Sequence, residues 1–544
     1  MSGGSASAGA RRARRLVVIA LLLALGVALV APRSAAATAA GTSSNFTLVG
    51  HTTLFDRGVN AAGAIFGNYE YVGSRSDGTH PHSGVAIVDI SDPTNPQDVG
   101  EIPLPADITT GYTSRELRVW PQQKLLMVVY FGCSAILHAC ASGSDTGEQP
   151  LQRINFFDVS DGAAPLLVST YKATTTPHEL FLWTDPLRPQ RALLYFTSPN
   201  NSTASLVVTD ISDWRHGNFP EIASFSAVSM FSSADQLAYD VRLHSISVSP
   251  DGTRTYLAHL GGGVLVADSS EVANNVASPK IHLVTPIAGR AFWDTEGAHS
   301  AVKIPGKPYI LSTEEIYGKA VVLSDVFGPA LGGCPWGWVR IIDITDPTNL
   351  KIVSEYRIDE NQAAFCATLG ANSTQENFSS YASHNPTVLP DVAFSTWHSG
   401  GLQAIDLTDP THPTQDGYFL PAPATAQTGE VHTPDPALEP GSNGVIAWSY
   451  PIIRNGLIYF IDVANGLYIV RYTGPHADEA AAVSFLEGNS SLGDAARLEA
   501  GLPGTAVPES PAAWRLLAVG GAVVVAALTL GRRRRSGEAA AARR

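Results

Sequence analysis

Imidazole side chains recur at one place in successive segments of this 544-residue chain: PHELFLW carries His178, RLHSISV His244, GAHSAVK His299 and ASHNPTV His384. Each stands at the start of a short run rich in β-branched and apolar residues, the composition of a strand. The turn after His244 centres near Asp251-Gly252, so a strand folding back there sets His259 opposite His244. By the same reflection the turn near Pro390-Asp391 sets His398 opposite His384. The turn near Gly306-Lys307 sets Glu314 opposite His299, and Glu315 serves equally because short strands slip by a residue. Imidazole suits zinc, copper, iron or nickel, and two or three such ligands with a carboxylate leave a position for water or substrate. His244, His259, His299, His384 and His398 are therefore the first candidate ligands of a transition metal. His178 is a further member behind them, and Glu314 a ligand or general base. The competing reading is structural: a histidine opening a strand ties it to a neighbouring turn by a hydrogen bond.

The elements that must position these residues repeat. GVAIVDISDP (Gly84 to Pro93), INFFDVSDG, LVVTDISD, VLVADSSE, VRIIDITDP and LQAIDLTDP share an apolar run, an aspartate, a hydroxyl or apolar residue and, in most, Asp-Pro. The first aspartates are Asp89, Asp158, Asp210, Asp268, Asp343 and Asp406, 52 to 75 residues apart. A seventh unit ends at GLYIVRYTG, with Arg471 in the aspartate's place. Four short strands per unit with Gly and Pro punctuation fit the blade of a β-propeller, since one unit alone cannot bury its apolar faces. The expected fold is all-β: a seven-bladed propeller over residues 40–475, six or eight blades being the alternatives. FTLVGH at Phe46 to His51 is expected to complete the last blade and remove an open sheet edge. The Asp in each Asp-Pro pair is expected to bond its own turn.

The sequences VAIVD, VRIID and LQAID resemble the LVIVD repeat family of exported β-propellers, over roughly residues 46–475. The resemblance implies a propeller fold and a cell-surface location, and no single activity.

Both termini point to export. Arg11, Arg12, Arg14 and Arg15 precede the apolar run Leu16 to Val30 and small residues at Ala37-Thr38-Ala39, so residues 1–39 read as a secretory signal peptide. Residues 512–531 read as a transmembrane anchor and 532–544, beginning with four arginines, as a basic cytoplasmic tail. Between propeller and anchor, residues 476–511 are rich in Ala, Gly, Glu and Ser and read as a flexible stalk. Leu502, Pro503, Gly504, Thr505 and Ala506 look like a sortase signal whose final Gly is replaced. Four cysteines in an oxidising compartment favour the pairs Cys133–Cys140 and Cys334–Cys366.

A formal net charge of −14, with basic residues concentrated at the termini, excludes a nucleic-acid-binding head. Two functions follow. One is a cell-surface binding module, a monomeric head held by its membrane anchor that recognises an unknown ligand or protein through loops such as His138 to Gly147 and Phe327 to Trp338. The other is an extracytoplasmic metal-dependent enzyme, oxidoreductase or hydrolase, built on the histidines.

Overall fold

The computed structural model describes residues 41–108, 111–133, 150–293, 297–316, 334–369, 380–422 and 445–506. The repeated aspartates make its corners. Val85–Asp89, Val339–Asp343 and Gly401–Asp406 each end on the first aspartate. That carboxylate accepts the amide two residues on: Ser91 at 2.8 Å, Thr345 at 2.7 Å and Thr408 at 2.7 Å. The second aspartate repeats the device with Thr94 at 3.0 Å, Thr348 at 3.0 Å and Thr411 at 2.9 Å. Two successive Asx turns, with proline fixing the backbone after the second aspartate, reverse the chain. The next strand then pairs back antiparallel, as in Asp89↔Gln97, Asp343↔Lys351 and Asp406↔Thr414.

Strands therefore assemble into antiparallel sheets in chain order. One sheet holds Leu180–Thr184, Ala192–Thr197, Leu206–Asp210 and Glu221–Phe225. The next holds Leu243–Val248, Arg254–His259, Gly263–Asp268 and His282–Leu283, and the one after it Ala298–Lys303, Tyr309–Glu314, Val339–Asp343 and Lys351–Tyr356. Ahead of them, an eight-stranded sheet that includes Asn60–Phe66 contains two such units joined at Ser74↔Ser114. Behind them, Ser383–Val388, Val392–Trp397, Gly401–Asp406 and Thr414–Leu420 carry Thr42–Ser44 on their edge. In the last sheet Phe46–Thr52 pairs with Gly466–Tyr472, from Phe46↔Tyr472 to Thr52↔Leu467.

Central strands such as LLMVVYFG at Leu125–Gly132 are buried along their whole length because both sheet faces are covered. Phe181, Trp183 and Tyr195 of one sheet pack on Leu243, Ile246 and Leu257 of the next. First strands also pack on first strands: Asn60–Phe66 on Tyr112–Trp120, then Leu180–Thr184, Leu243–Val248, Ala298–Lys303 and Ser383–Val388 in succession. This face-to-face succession of four-stranded antiparallel units is β-propeller packing.

Residues 476–506 are not a free stalk. Two short helices, Ala477–Ala481 and Ala495–Glu499, flank Phe485–Leu486, which pairs with Ile452–Arg454. The segment then crosses to another sheet, where Asn489 O accepts the Leu182 amide at 3.2 Å and the Ser491 amide donates to Leu182 O at 2.9 Å. Further along, Glu499 takes Lys303 Nζ at 2.6 Å. Its contacts with Thr184, Lys303 and Asp391 fall at the turn ends of the first strands, away from the histidines. The reason is a sparse apolar set, Ala480, Val483, Leu486, Leu492 and Leu498, all buried within an otherwise small and polar composition. The sorting-like motif belongs to this strap. Thr505 Oγ1 donates to Asp494 Oδ1 at 2.8 Å, and the Ala506 amide to Ala482 O at 2.8 Å.

Cys334 and Cys366 are joined in a disulfide with a Cα–Cα distance of 5.5 Å. Cys133 is disulfide-bonded, and Cys140 lies outside the described residues. So do the signal segment, the anchor, the basic tail and the loop 138–147. Among the described residues no helix is long and apolar enough to cross a membrane.

One carboxyl in the fold works against stability. Glu70 is 1% exposed, its Oε2 has no hydrogen-bond partner among the described residues, and burial pushes its pKa up to about 8. The folded protein holds this proton while the unfolded chain releases it above about pH 4.5, so stability is lost as pH rises from there to about 8. Glu70→Gln is expected to gain on the order of a few kcal/mol at pH 8 and almost nothing at pH 4. Denaturant unfolding at the two pH values checks this; an equal effect at both would show that Glu70 is ionised in the fold.

Candidate metal centre

The histidines converge because the strands that carry them are irregular at one point. In the sheet of His244 the pairing passes from Leu243↔His259 to Ser245↔Ala258, leaving His244 out of register. The same happens between Ala298↔Glu314 and Ser300↔Thr313, which frees His299, and between Ser383↔Trp397 and Pro386↔Ser395, which frees His384. A bulged residue leaves the ladder and its side chain is re-aimed. In the sheets of His299 and His384 the residue after the second strand shares the space with the bulged one: Glu315 follows Tyr309–Glu314, and His398 follows Val392–Trp397.

Around that space the ring centroids run His178 to His244 at 4.8 Å, His244 to His299 at 4.3 Å, His299 to His384 at 4.2 Å and His384 to His398 at 5.1 Å. Glu315 sits among them. Its Oε1 is 3.2 Å from His384 Nε2 and 3.3 Å from His398 Nε2, and its Oε2 is 3.5 Å from His299 Nε2. His178 Nε2 and His244 Nε2 are 3.1 Å apart. Arginines on aromatic rings end the arc. Arg75 lies over Trp448, 4.1 Å from its ring centroid, and Trp448 stacks on His398; Arg115 lies over Phe131, which meets His178 edge-on.

Two residues expected here are elsewhere. His259 and Glu314 end their second strands in register, so they face away from the bulged residues. His259 Nδ1 bonds Val241 O at 2.8 Å and its ring packs on Phe231, while burial lowers its pKa to about 4. Glu314 accepts Trp293 Nε1 at 3.1 Å and pairs with Arg340. The one-residue bulge, invisible to a reflection about the turn, turns His259 away and decides between the two carboxylates the sequence left open in favour of Glu315.

The electrostatics favour a cation. Burial first, and then the neighbouring charged and imidazole groups, hold His178, His244 and His299 well below the usual histidine range, so these rings are neutral. Burial also lowers His398. For Glu315 burial acts upward but is outweighed, chiefly by His384, so the carboxyl lies well below the carboxylate range. Glu179, next to His178, is driven well above that range by burial and by Glu116, and so keeps its proton. His384 decides the polarity of the site. Its Nδ1 lies 2.6 Å from Trp448 O, which only accepts, so Nδ1 carries a hydrogen and Nε2 is the ring nitrogen turned toward the Glu315 carboxylate. A metal cation bound by both atoms, or a proton on Nε2, satisfies that facing pair. A carbonyl fixing Nδ1–H so that Nε2 is the ligand is the usual outer support of a metal-bound histidine.

Residues 64–102 match the model of the LVIVD repeat, a β-propeller repeat. They take in the strands Tyr69–Ser74, Val85–Asp89 and Gln97–Ile102 and the end of Asn60–Phe66. This segment is an LVIVD repeat. No curated protein sequence matches this chain. Among solved structures, Sqt1 of Chaetomium thermophilum is similar at 12% identity, covering 77% of this chain and 86% of that one, with a TM-score of 0.41. The β-propeller domain of Cps50 (Swd1) of Myceliophteria thermophila aligns at 8% identity over 78% and 99%, TM-score 0.40. The C-terminal WD40 domain of Sif2 aligns at 7% over 79% and 99%, TM-score 0.42.

Proposed function

We propose that this protein is an extracytoplasmic β-propeller of seven blades, completed by Phe46–Thr52 in the last blade, whose inner end holds a transition-metal centre with enzymatic function. The observation that carries the reading is the facing of His384 Nε2 and Glu315 Oε1 at 3.2 Å with Nδ1 committed to a carbonyl. Imidazoles with one carboxylate suit zinc, copper, iron or nickel. Such an ion supplies Lewis acidity or an activated water, and with copper or iron also redox chemistry. The chain contributes neutral imidazole donors, one charged oxygen donor, a protonated Glu179 beside the arc and two arginines at its ends. Signal residues 1–39 and anchor 512–531 support export and attachment to the membrane.

A second reading has its own support. The LVIVD repeat and the propeller fold suit an interaction module at the cell surface, with the histidines in structural roles. Elemental mass spectrometry on full-length protein purified without a histidine tag separates the two. The enzyme reading expects zinc, copper, iron or nickel in stoichiometric amount, lost in a His299→Ala, His384→Ala double variant that remains folded. A folded, metal-free protein after exposure to each ion would overturn it and leave the interaction module.

A further inference from the structure

The donors exceed what one ion takes. Five imidazoles and the Glu315 carboxylate make up the cluster, whereas a tetrahedral site uses four ligands and a catalytic one three protein ligands. Their grouping is also uneven. The donor atoms of His244, His299 and Glu315 lie within 4.8 Å of one another, and so do those of Glu315, His384 and His398, with Glu315 common to both sets. The carboxylate divides its oxygens between them, Oε1 toward His384 and His398 at 3.2 and 3.3 Å and Oε2 toward His299 at 3.5 Å.

Those separations match ligands of one ion. Ligands about 2.0–2.1 Å from a metal stand about 3.4 Å apart along a tetrahedral edge. Each oxygen of Glu315 thus already keeps that spacing with a different histidine set. We propose that the centre is dinuclear, with Glu315 bridging two ions. His244 and His299 hold the first on the Oε2 side, with His178 beside them; His384 and His398 hold the second on the Oε1 side. Paired ions about 3.5–4 Å apart clamp the attacking and leaving oxygens of a hydrolytic displacement, so the arrangement takes a phosphoryl or acyl ester class of substrate or an equivalent oxygen-bridging ligand.

The proposal rests on the metal reading above, and its test keeps the two failures apart. Full-length protein is stripped with chelator, titrated with Co(II), desalted and assayed for cobalt by mass spectrometry, while visible absorption follows filling. Two equivalents per chain are expected, with His398→Asn retaining one and the folded state unchanged by circular dichroism. One equivalent in the parent protein would overturn the bridged pair while sparing a single-ion centre. No bound cobalt, and none for zinc or copper, would overturn both. Loss of both ions in His398→Asn would show one indivisible site and also count against the proposal.

Discussion

Glu315→Gln is expected to lower metal affinity by at least about 100-fold. Removing groups that merely orient a ligand already costs about 10–100-fold in affinity, and Glu315 is the charged donor itself. Without metal the same change is expected to cost stability, because the fold holds Glu315 well below the carboxylate range and so favours its ionised form. A cluster that only ion-pairs Glu315 with imidazolium predicts that loss of stability, about 3–5 kcal/mol, with metal affinity unchanged. Isothermal titration with zinc and urea unfolding of the metal-free protein give the two readouts. Unchanged affinity together with a large loss of stability would make the cluster an ion-pair network.

Ending the chain after residue 475 is expected to unfold or aggregate the propeller, whereas ending it after residue 506 is expected to preserve it. The strap buries Val483, Leu486, Leu492 and Leu498 against the sheets. At about 1.5–3 kcal/mol each, these four contribute about 6–12 kcal/mol gross. A whole domain is stable by about 5–15 kcal/mol. The shorter chain also exposes Ile452–Arg454 as an open sheet edge, which invites pairing between molecules. Thermal unfolding and size-exclusion chromatography of the two lengths decide it; equal melting temperatures would return residues 476–506 to the status of a dispensable tether.

The repeat made the fold legible. Asx turns at Asp89, Asp343 and Asp406 are local chemistry, and local chemistry is written in consecutive residues. The histidine arc was legible too, since His178, His244, His299 and His384 each open a first strand. What the sequence concealed was a matter of one residue. Bulges at His244, His299 and His384 have no sequence marker; the one at His299 decides for Glu315 over Glu314, which the sequence left open, and the one at His244 turns His259 away. The strap was concealed for another reason. Its buried apolar residues are spaced among Ala, Gly, Ser and Glu with no sustained period, so composition described it as a linker while long-range pairing to Ile452–Arg454 and Leu182 folded it.

The most direct measurement is X-ray absorption at the edge of whichever metal the full-length protein retains. The account predicts a first shell of nitrogen and oxygen at about 2.0–2.1 Å with the outer-shell scattering of several imidazoles, and its loss in His299→Ala, His384→Ala. A first shell of water oxygens alone, without imidazole scattering, would place the ion outside the cluster and contradict the account.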